Sequence, residues 1–198
     1  MVAQSNRLDE LVEKNKGIIQ LAQAKKIGIS KPTFYDYIAK EGLERIGHGV
    51  YAKNDAWVDD MYLLHLRCKQ AIFSHETALL LHDLTDREPA SYSFTVKAGY
   101  NPSSLKKDGF KVYNLKKELY ELGVTTATTS FGNIVPVYNM EKTICDVLRS
   151  RSKIEVQTFQ DALKQYVKRP EKDLRTLMKY AESFKVETIL RGYLEVLL

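Results

Sequence analysis

SKPTFYDYIAKEGLERIGHGVYA, residues 30–52, encodes a short helix that runs at once into a small charged hairpin. Ser30 is a natural N-cap, because its hydroxyl can accept a hydrogen bond from a free amide of the first turn. Pro32 falls in that turn, where the missing N–H costs nothing. Phe34, Tyr37 and Ile38 then share one helical face, and Gly42 is placed to end the helix. Residues 43–46, the Gly47-His48-Gly49 turn and residues 50–52 read as two short strands around a glycine-dependent reversal. A helix followed directly by such a hairpin is the second half of a winged helix-turn-helix.

The preceding residues supply the first half. Residues 6–16 form an amphipathic helix with Leu8, Leu11 and Val12 inward, acids early and lysines late, as the helix dipole prefers. Gly17 breaks it. Ile18, Ile19, Leu21 and Ala22 are expected to begin a second helix that fades at Lys25-Lys26, and Ile27-Gly28-Ile29 forms the tight turn. If Phe34 and Ile38 point inward, the outer surface of the third helix presents Pro32, Thr33, Tyr35, Asp36, Ala39 and Lys40. Recognition helices offer their N-terminal half to base edges. Candidate DNA contacts are therefore Ser30, Lys31, Thr33, Tyr35 and Lys40, with Arg45 and His48 on the hairpin. Thr33 and Tyr35 could reach bases or phosphates, and the lysines could neutralise phosphates.

Charge is compatible with a polyanionic partner without demanding one. The 198 residues carry a formal net charge of +5. Residues 1–54 hold nine Lys/Arg against six Asp/Glu, so they contribute +3 and the remainder +2. The two cysteines, Cys68 and Cys145, each lie in apolar helical patterns and read as buried reduced thiols, which fits a cytoplasmic location. No apolar run approaches a membrane span, and the N-terminus lacks a signal-peptide core.

Asn54-Asp55 marks the expected boundary between domains 1–54 and 55–198. The second opens with an expected helix over residues 56–71 carrying Trp57, Met61, Leu64 and Cys68. Ser74 is placed to cap a helix beginning His75-Glu76. The period then changes to strands: residues 92–96, 110–113, 127–131 and 133–137. Asn139 caps a helix through Ile144, Cys145 and Leu148, and apolar residues recur at helical spacing to the end of the chain. The fold class is therefore α+β: a winged helix-turn-helix, then a larger domain with a small sheet and a helical C-terminal half.

Enzymatic patterns fail on inspection. Cys68, His75 and His82 step by seven, but Ser74 starts a new helix between them, and no C-x-x-C or H-E-x-x-H pattern marks a metal site. A metal nuclease strand would need a carboxylate where Thr95 stands. Gly47-x-Gly49 precedes a strand rather than a helix, so it is no phosphate loop. No enzyme activity, metal or cofactor is expected. Basic positions in the tail are more suggestive. Lys172, Arg175 and Lys179 are expected on one helical face, Lys164 and Lys168 on another, and Arg149, Arg151 and Lys153 form a basic run between helices. These could follow nucleic-acid phosphates or face an acidic protein.

Two stretches of the second domain carry a resemblance. Ser74-His75-Glu76-Thr77-Ala78-Leu79-x-x-His82-x-Leu84-Thr85-Asp86-Arg87 and Tyr138-x-Met140-Glu141-Lys142-Thr143-x-Cys145-Asp146-x-Leu148-Arg149 resemble hallmark segments of the AbiEi family, and with the winged helix the resemblance spans essentially the whole chain. It implies the antitoxin of a type IV toxin–antitoxin, abortive-infection system conferring phage resistance. It implies autorepression through promoter inverted repeats of double-stranded operator DNA, contacted by residues 30–40 and the wing. It also implies that the second domain counteracts a nucleotidyltransferase-like toxin without forming a stable complex with it. Lys164, Lys168, Lys172, Arg175 and Lys179 are the candidate antitoxin surface. The alternative is a ligand-responsive winged-helix transcription factor without antitoxin activity.

Overall fold

The computed structural model describes residues 2–198, and the chain divides into two compact units that meet between Arg67 and Cys68 in sequence. In the first unit the order is α1 (Val2–Lys14), β1 (Ile18–Gln20), α2 (Leu21–Lys26), α3 (Lys31–Lys40), β2 (Glu44–Gly47), β3 (Val50–Ala52) and α4 (Asp60–Arg67). The strands form one antiparallel sheet in the order β1-β3-β2. Helix, helix, turn, helix and hairpin together give the winged helix-turn-helix arrangement.

One expected helical start proves to be a strand. Ile18 and Ile19 pair with Ala52 and Tyr51 on β3. Both isoleucines are buried, and their β-branched side chains suit a pleated surface better than a crowded first helical turn. The helix begins only at Leu21. Its partner α3 behaves as its residues dictate. Ser30 Oγ accepts from the Thr33 amide at 3.3 Å, Pro32 lies in the first turn, and Phe34, Tyr37 and Ile38 are buried. Tyr37 closes the unit by donating its hydroxyl to Asp9 Oδ1 of α1 at 2.6 Å. The small core gathers Leu8, Val12, Ile19, Ala24, Ile29, Phe34 and Leu43. The hairpin turn requires Gly49, whose φ of +67° lies in the left-handed region. The helix expected over 56–71 is shorter, starting at Asp60, and groups with this first unit. Its Leu63 and Leu66 pack with Ala56 and Val58 against the patch formed by Ile18, Val50 and Ala52.

The second unit runs β4 (Ile72–Phe73), α5 (His75–Leu81), β5 (Ser93–Lys97), α6 (Ser103–Lys107), β6 (Lys111–Leu115), α7 (Lys117–Tyr120), β7 (Val124–Thr128), β8 (Ile134–Tyr138), α8 (Met140–Arg149), α9 (Val156–Lys168), α10 (Leu174–Ser183) and α11 (Glu187–Leu197). The sheet order is β6-β5-β4-β8-β7, with β5–β6 and β4–β8 parallel and the other pairs antiparallel. The whole is α+β.

Helix α8 is the axis of this unit. Asn139 caps it by accepting from the Lys142 amide at 3.0 Å, and every residue from Glu141 to Leu148 is buried. A helix enclosed on all sides must satisfy its polar side chains within the protein. Ile144, Val147 and Leu148 join Leu79 of α5, Phe159 and Leu163 of α9, Leu177 of α10 and Leu190 of α11 in one core. Both cysteines are buried and free, and burial pushes the Cys145 thiol up to about 12.

Candidate nucleic-acid interface and a buried polar cluster

Helical geometry sorts the residues on the open side of α3. Phe34, Tyr37 and Ile38 occupy the buried face. At 3.6 residues per turn, Lys31 and Tyr35 then lie on one flank, Thr33 and Lys40 on the other, with Pro32, Asp36 and Ala39 between them. The Lys31–Tyr35 flank faces the hairpin. Tyr35 sits edge-on to Tyr51 of β3 with ring centroids 6.2 Å apart, and both meet the buried Phe34 ring. Burial, then the hydrogen bond to Tyr35, raises the Tyr51 phenol above its ordinary value. Lys31 Nζ lies 5.9 Å from the Tyr35 ring centroid. The aromatic trio therefore joins the α3 surface to the wing, and Tyr35 keeps 39% of its surface exposed.

The remaining candidates are accessible, with different commitments. Ser30 and Thr33 share a hydrogen bond between their hydroxyls at 2.8 Å, so the cap already uses both. Lys40 pairs with the neighbouring Glu41 at 3.2 Å, an exposed contact of small energetic weight. Arg45 donates through Nε to the Gly47 carbonyl at 3.1 Å, which leaves its outer nitrogens for another acceptor. His48 is exposed at the hairpin tip.

The tail candidates do not gather as expected. Lys164 and Lys168 stand one turn apart on α9, Lys164 reaching 4.0 Å from Asp161. Arg175 and Lys179 are exposed on α10, also one turn apart. Lys172 lies outside that helix, because Asp173 is its N-cap and accepts from the Thr176 amide at 3.0 Å. Its Nζ donates instead to the Arg169 carbonyl at 3.3 Å.

The structure gathers Ser74, His75, Thr95, Tyr113 and Ser150, which the sequence does not mark as a group. Ser74 stands at the N-cap position of α5, but its hydroxyl caps nothing there. It accepts from Thr95 Oγ1 at 2.9 Å and contacts His75 Nδ1 at 2.9 Å. His75 Nε2 lies 3.0 Å from Ser150 Oγ just beyond α8, and its ring stacks on Tyr113 of β6 at 3.5 Å. The backbone of His75 takes φ of +50°, a left-handed conformation that a non-glycine residue holds only when its surroundings enforce it. Here two hydroxyls and a stacked phenol ring do so. Burial first, then the charges of Lys142, Arg149, Lys111 and Lys153, hold the imidazole well below its ordinary value, so it is neutral at pH 7.

Beside it lies a fully buried ion pair. Lys142 Nζ contacts Asp146 Oδ2 at 2.6 Å one turn along α8, with side-chain exposures of 0% and 2%. The ammonium also lies over the rings of Tyr138 at 3.8 Å and Phe184 at 4.5 Å. Burial depresses Lys142 and raises Asp146, and their contact opposes both shifts. Around this cluster opens a pocket of about 200 Å³ lined by His75, Tyr113, Asn114, Leu115, Asp146, Arg149, Ser150, Ser152 and Lys153. Residues 74–87 and 138–149 thus meet in space. His82 ties them a second time, with Nε2 2.6 Å from the Tyr138 carbonyl. The available signal is Lys142 and Asp146 four apart on a helix whose Ile144, Val147 and Leu148 are apolar. Among the described residues, no group of three His, Cys, Asp or Glu could hold a metal ion, and no helix is long and apolar enough to cross a membrane.

Comparison with known proteins addresses the first unit directly. Residues 6–52 match the family model described as "Transcriptional regulator, AbiEi antitoxin". That segment is α1 through the wing, and the match supports an antitoxin or regulator role. The crystal structure of the RV2827C protein from Mycobacterium tuberculosis is similar with a TM-score of 0.60. The similarity covers 91% of this chain and 71% of that one at 13% identity, which shows a shared fold. No curated protein matches the sequence.

Proposed function

We propose that the chain is a cytoplasmic antitoxin and autorepressor of a type IV abortive-infection system. In this reading the first unit binds inverted repeats at its own promoter, and the second counteracts a nucleotidyltransferase-like toxin without a stable complex. The observation that carries the proposal is the regulator-family match, which falls on the segment whose α3 leaves one side open beside a hairpin. Lys31 and Tyr35 form the flank shared with the wing, and Arg45 and His48 extend it. Asp36, central on the open face, repels phosphate but can accept from the cytosine amino group in the major groove. The N-terminal half of α3 therefore faces base edges while Lys31, Lys40 and Arg45 meet phosphates. For the second unit, Lys164, Lys168, Arg175 and Lys179 remain proposed as the antitoxin surface, with Lys172 beside them in the preceding loop.

The test is binding to the DNA upstream of the gene as a function of salt. Wild-type affinity should fall steeply, and each lost phosphate contact should reduce the log–log slope by about 0.9. Lys31→Ala is expected to weaken operator binding and flatten the slope more than Lys40→Ala, whose ammonium already has Glu41. Fluorescence anisotropy across a salt series measures both. An unchanged affinity and slope in the double variant would remove both lysines from the interface.

A further inference from the structure

The polar pocket of the second unit lies outside the DNA-binding reading, and its chemistry points to a ligand of its own. The hydroxyl chain behind it has only one fully satisfied arrangement. Thr95 donates to Ser74 Oγ. If His75 Nδ1 also donated to Ser74, the buried Ser74 hydrogen would have no acceptor, so Ser74 donates and Nδ1 accepts. The imidazole proton is then on Nε2, directed at Ser150 Oγ. Ser150 is left with its own hydrogen to offer to the pocket that it lines.

The walls add two cations and one acceptor. Arg149 and Lys153 line the pocket, and neither forms an ion pair among the described residues. Asp146 lines it too. Its Oδ2 is taken by Lys142, while Oδ1 makes no hydrogen bond among the described residues although the side chain is 2% exposed. Whether the proton shared by this pair sits on Nζ or on Oδ2, the pair is neutral and Oδ1 remains an acceptor. The pocket therefore offers two positive charges, one hydroxyl donor and one acceptor.

We infer that this pocket binds a protonated phosphate group, its anionic oxygens meeting Arg149, Lys153 and the Ser150 hydroxyl while its P–OH donates to Asp146 Oδ1. A tetrahedral oxyanion that can carry a proton matches this set: a phosphate monoester loses its second proton near pH 6, so the acceptor at Oδ1 selects the protonated monoanion. Sulfate has the same shape and charge but no proton to give Oδ1. The volume of about 200 Å³ is below the ~300–1,000 Å³ of drug-sized sites and suits a phosphate or a small phosphate ester.

Calorimetric titration of the full-length chain with inorganic phosphate, at constant ionic strength, tests this. Saturable binding is expected, with sulfate at least tenfold weaker and the Arg149→Gln/Lys153→Gln pair at least tenfold weaker for phosphate. Lys164→Gln/Lys168→Gln, which removes the same charge from α9, should leave binding unchanged. Both pocket cations are exposed, so folding should survive; if circular dichroism shows otherwise, Lys153→Gln alone gives the same reading. Uridine 5′-monophosphate and uridine separate the sources. Tighter binding of the monophosphate identifies an ester as the occupant, and tighter binding of phosphate identifies the free ion. Absent saturation by either phosphate species, equal affinity for sulfate, indifference to the pocket variants, or uridine binding as well as its monophosphate would each overturn the assignment. None of these outcomes bears on operator binding.

Discussion

At the scale of single residues, the second unit is governed by charges that sequence alone makes look ordinary. Lys142 and Asp146 are four apart on a helix, the spacing of countless solvated pairs. Only the surrounding rings of Tyr138 and Phe184 and the enclosure of α8 make the pair a buried one. Local pattern does not report that enclosure, because much of it comes from distant segments, such as Leu79 of α5 and Phe184. Removing one partner leaves the other unpaired in the core. Lys142→Met or Asp146→Leu alone is thus expected to cost about 3–5 kcal/mol, whereas the double replacement recovers most of that loss. Urea midpoints of the two single variants and the double variant measure the coupling. His75 carries a separate, pH-dependent signature. Its folded value is depressed below the ordinary 6.5, so the unfolded chain binds the extra proton first. Stability is full above about pH 6.5 and falls as pH drops towards the folded value, at up to about 1.4 kcal/mol per pH unit. His75→Asn, which tolerates the left-handed backbone, should remove that part of the slope between pH 7 and 5. An identical slope in the variant would assign the acid sensitivity elsewhere.

At the scale of elements, legibility tracked how local the cause was. Helix α3 and the wing were readable because Ser30, Pro32, Gly42 and Gly49 act on their immediate neighbours, and each occupies the conformation that its chemistry favours. Ile18-Ile19 reads as the start of a helix because it runs straight into the helical Leu21-Ala22, although β-branched residues lean towards a strand. The choice is made by β3, more than 30 residues further along. Lys172 falls just outside α10 because the Asp173 cap, rather than apolar spacing, sets the start of that helix. The α3 cap offers a direct test. Ser30→Ala removes the acceptor for the Thr33 amide and should cost about 1 kcal/mol. It also frees the Thr33 hydroxyl from its 2.8 Å partner at the proposed DNA face. Thermal unfolding of residues 1–67 and operator affinity are therefore expected to fall together. A loss of affinity without loss of stability would instead make Ser30 a direct contact.

At the scale of the molecule, the two units have separate cores, one centred on Phe34 and the other on α8. Independent cores allow independent folding, although a first unit of 67 residues is near the size at which burial barely offsets chain entropy. Residues 68–198 expressed alone should therefore unfold cooperatively, with the Lys142–Asp146 pair intact. Residues 1–67 should fold with a lower midpoint. Under the proposed division of labour, residues 68–198 rescue growth against the cognate toxin while losing operator binding, and residues 1–67 show the reverse. Growth rescue and anisotropy on the two fragments measure these outcomes directly. A folded 68–198 fragment that fails to rescue would mean that protection requires the DNA-binding unit, and that repression and neutralisation are one activity of the intact chain. Rescue by the fragment would instead confine protection to the surfaces of the second unit. Substituting the α9 and α10 lysines and the Arg149–Lys153 pocket separately in that fragment would then distinguish the exposed basic faces from the enclosed site.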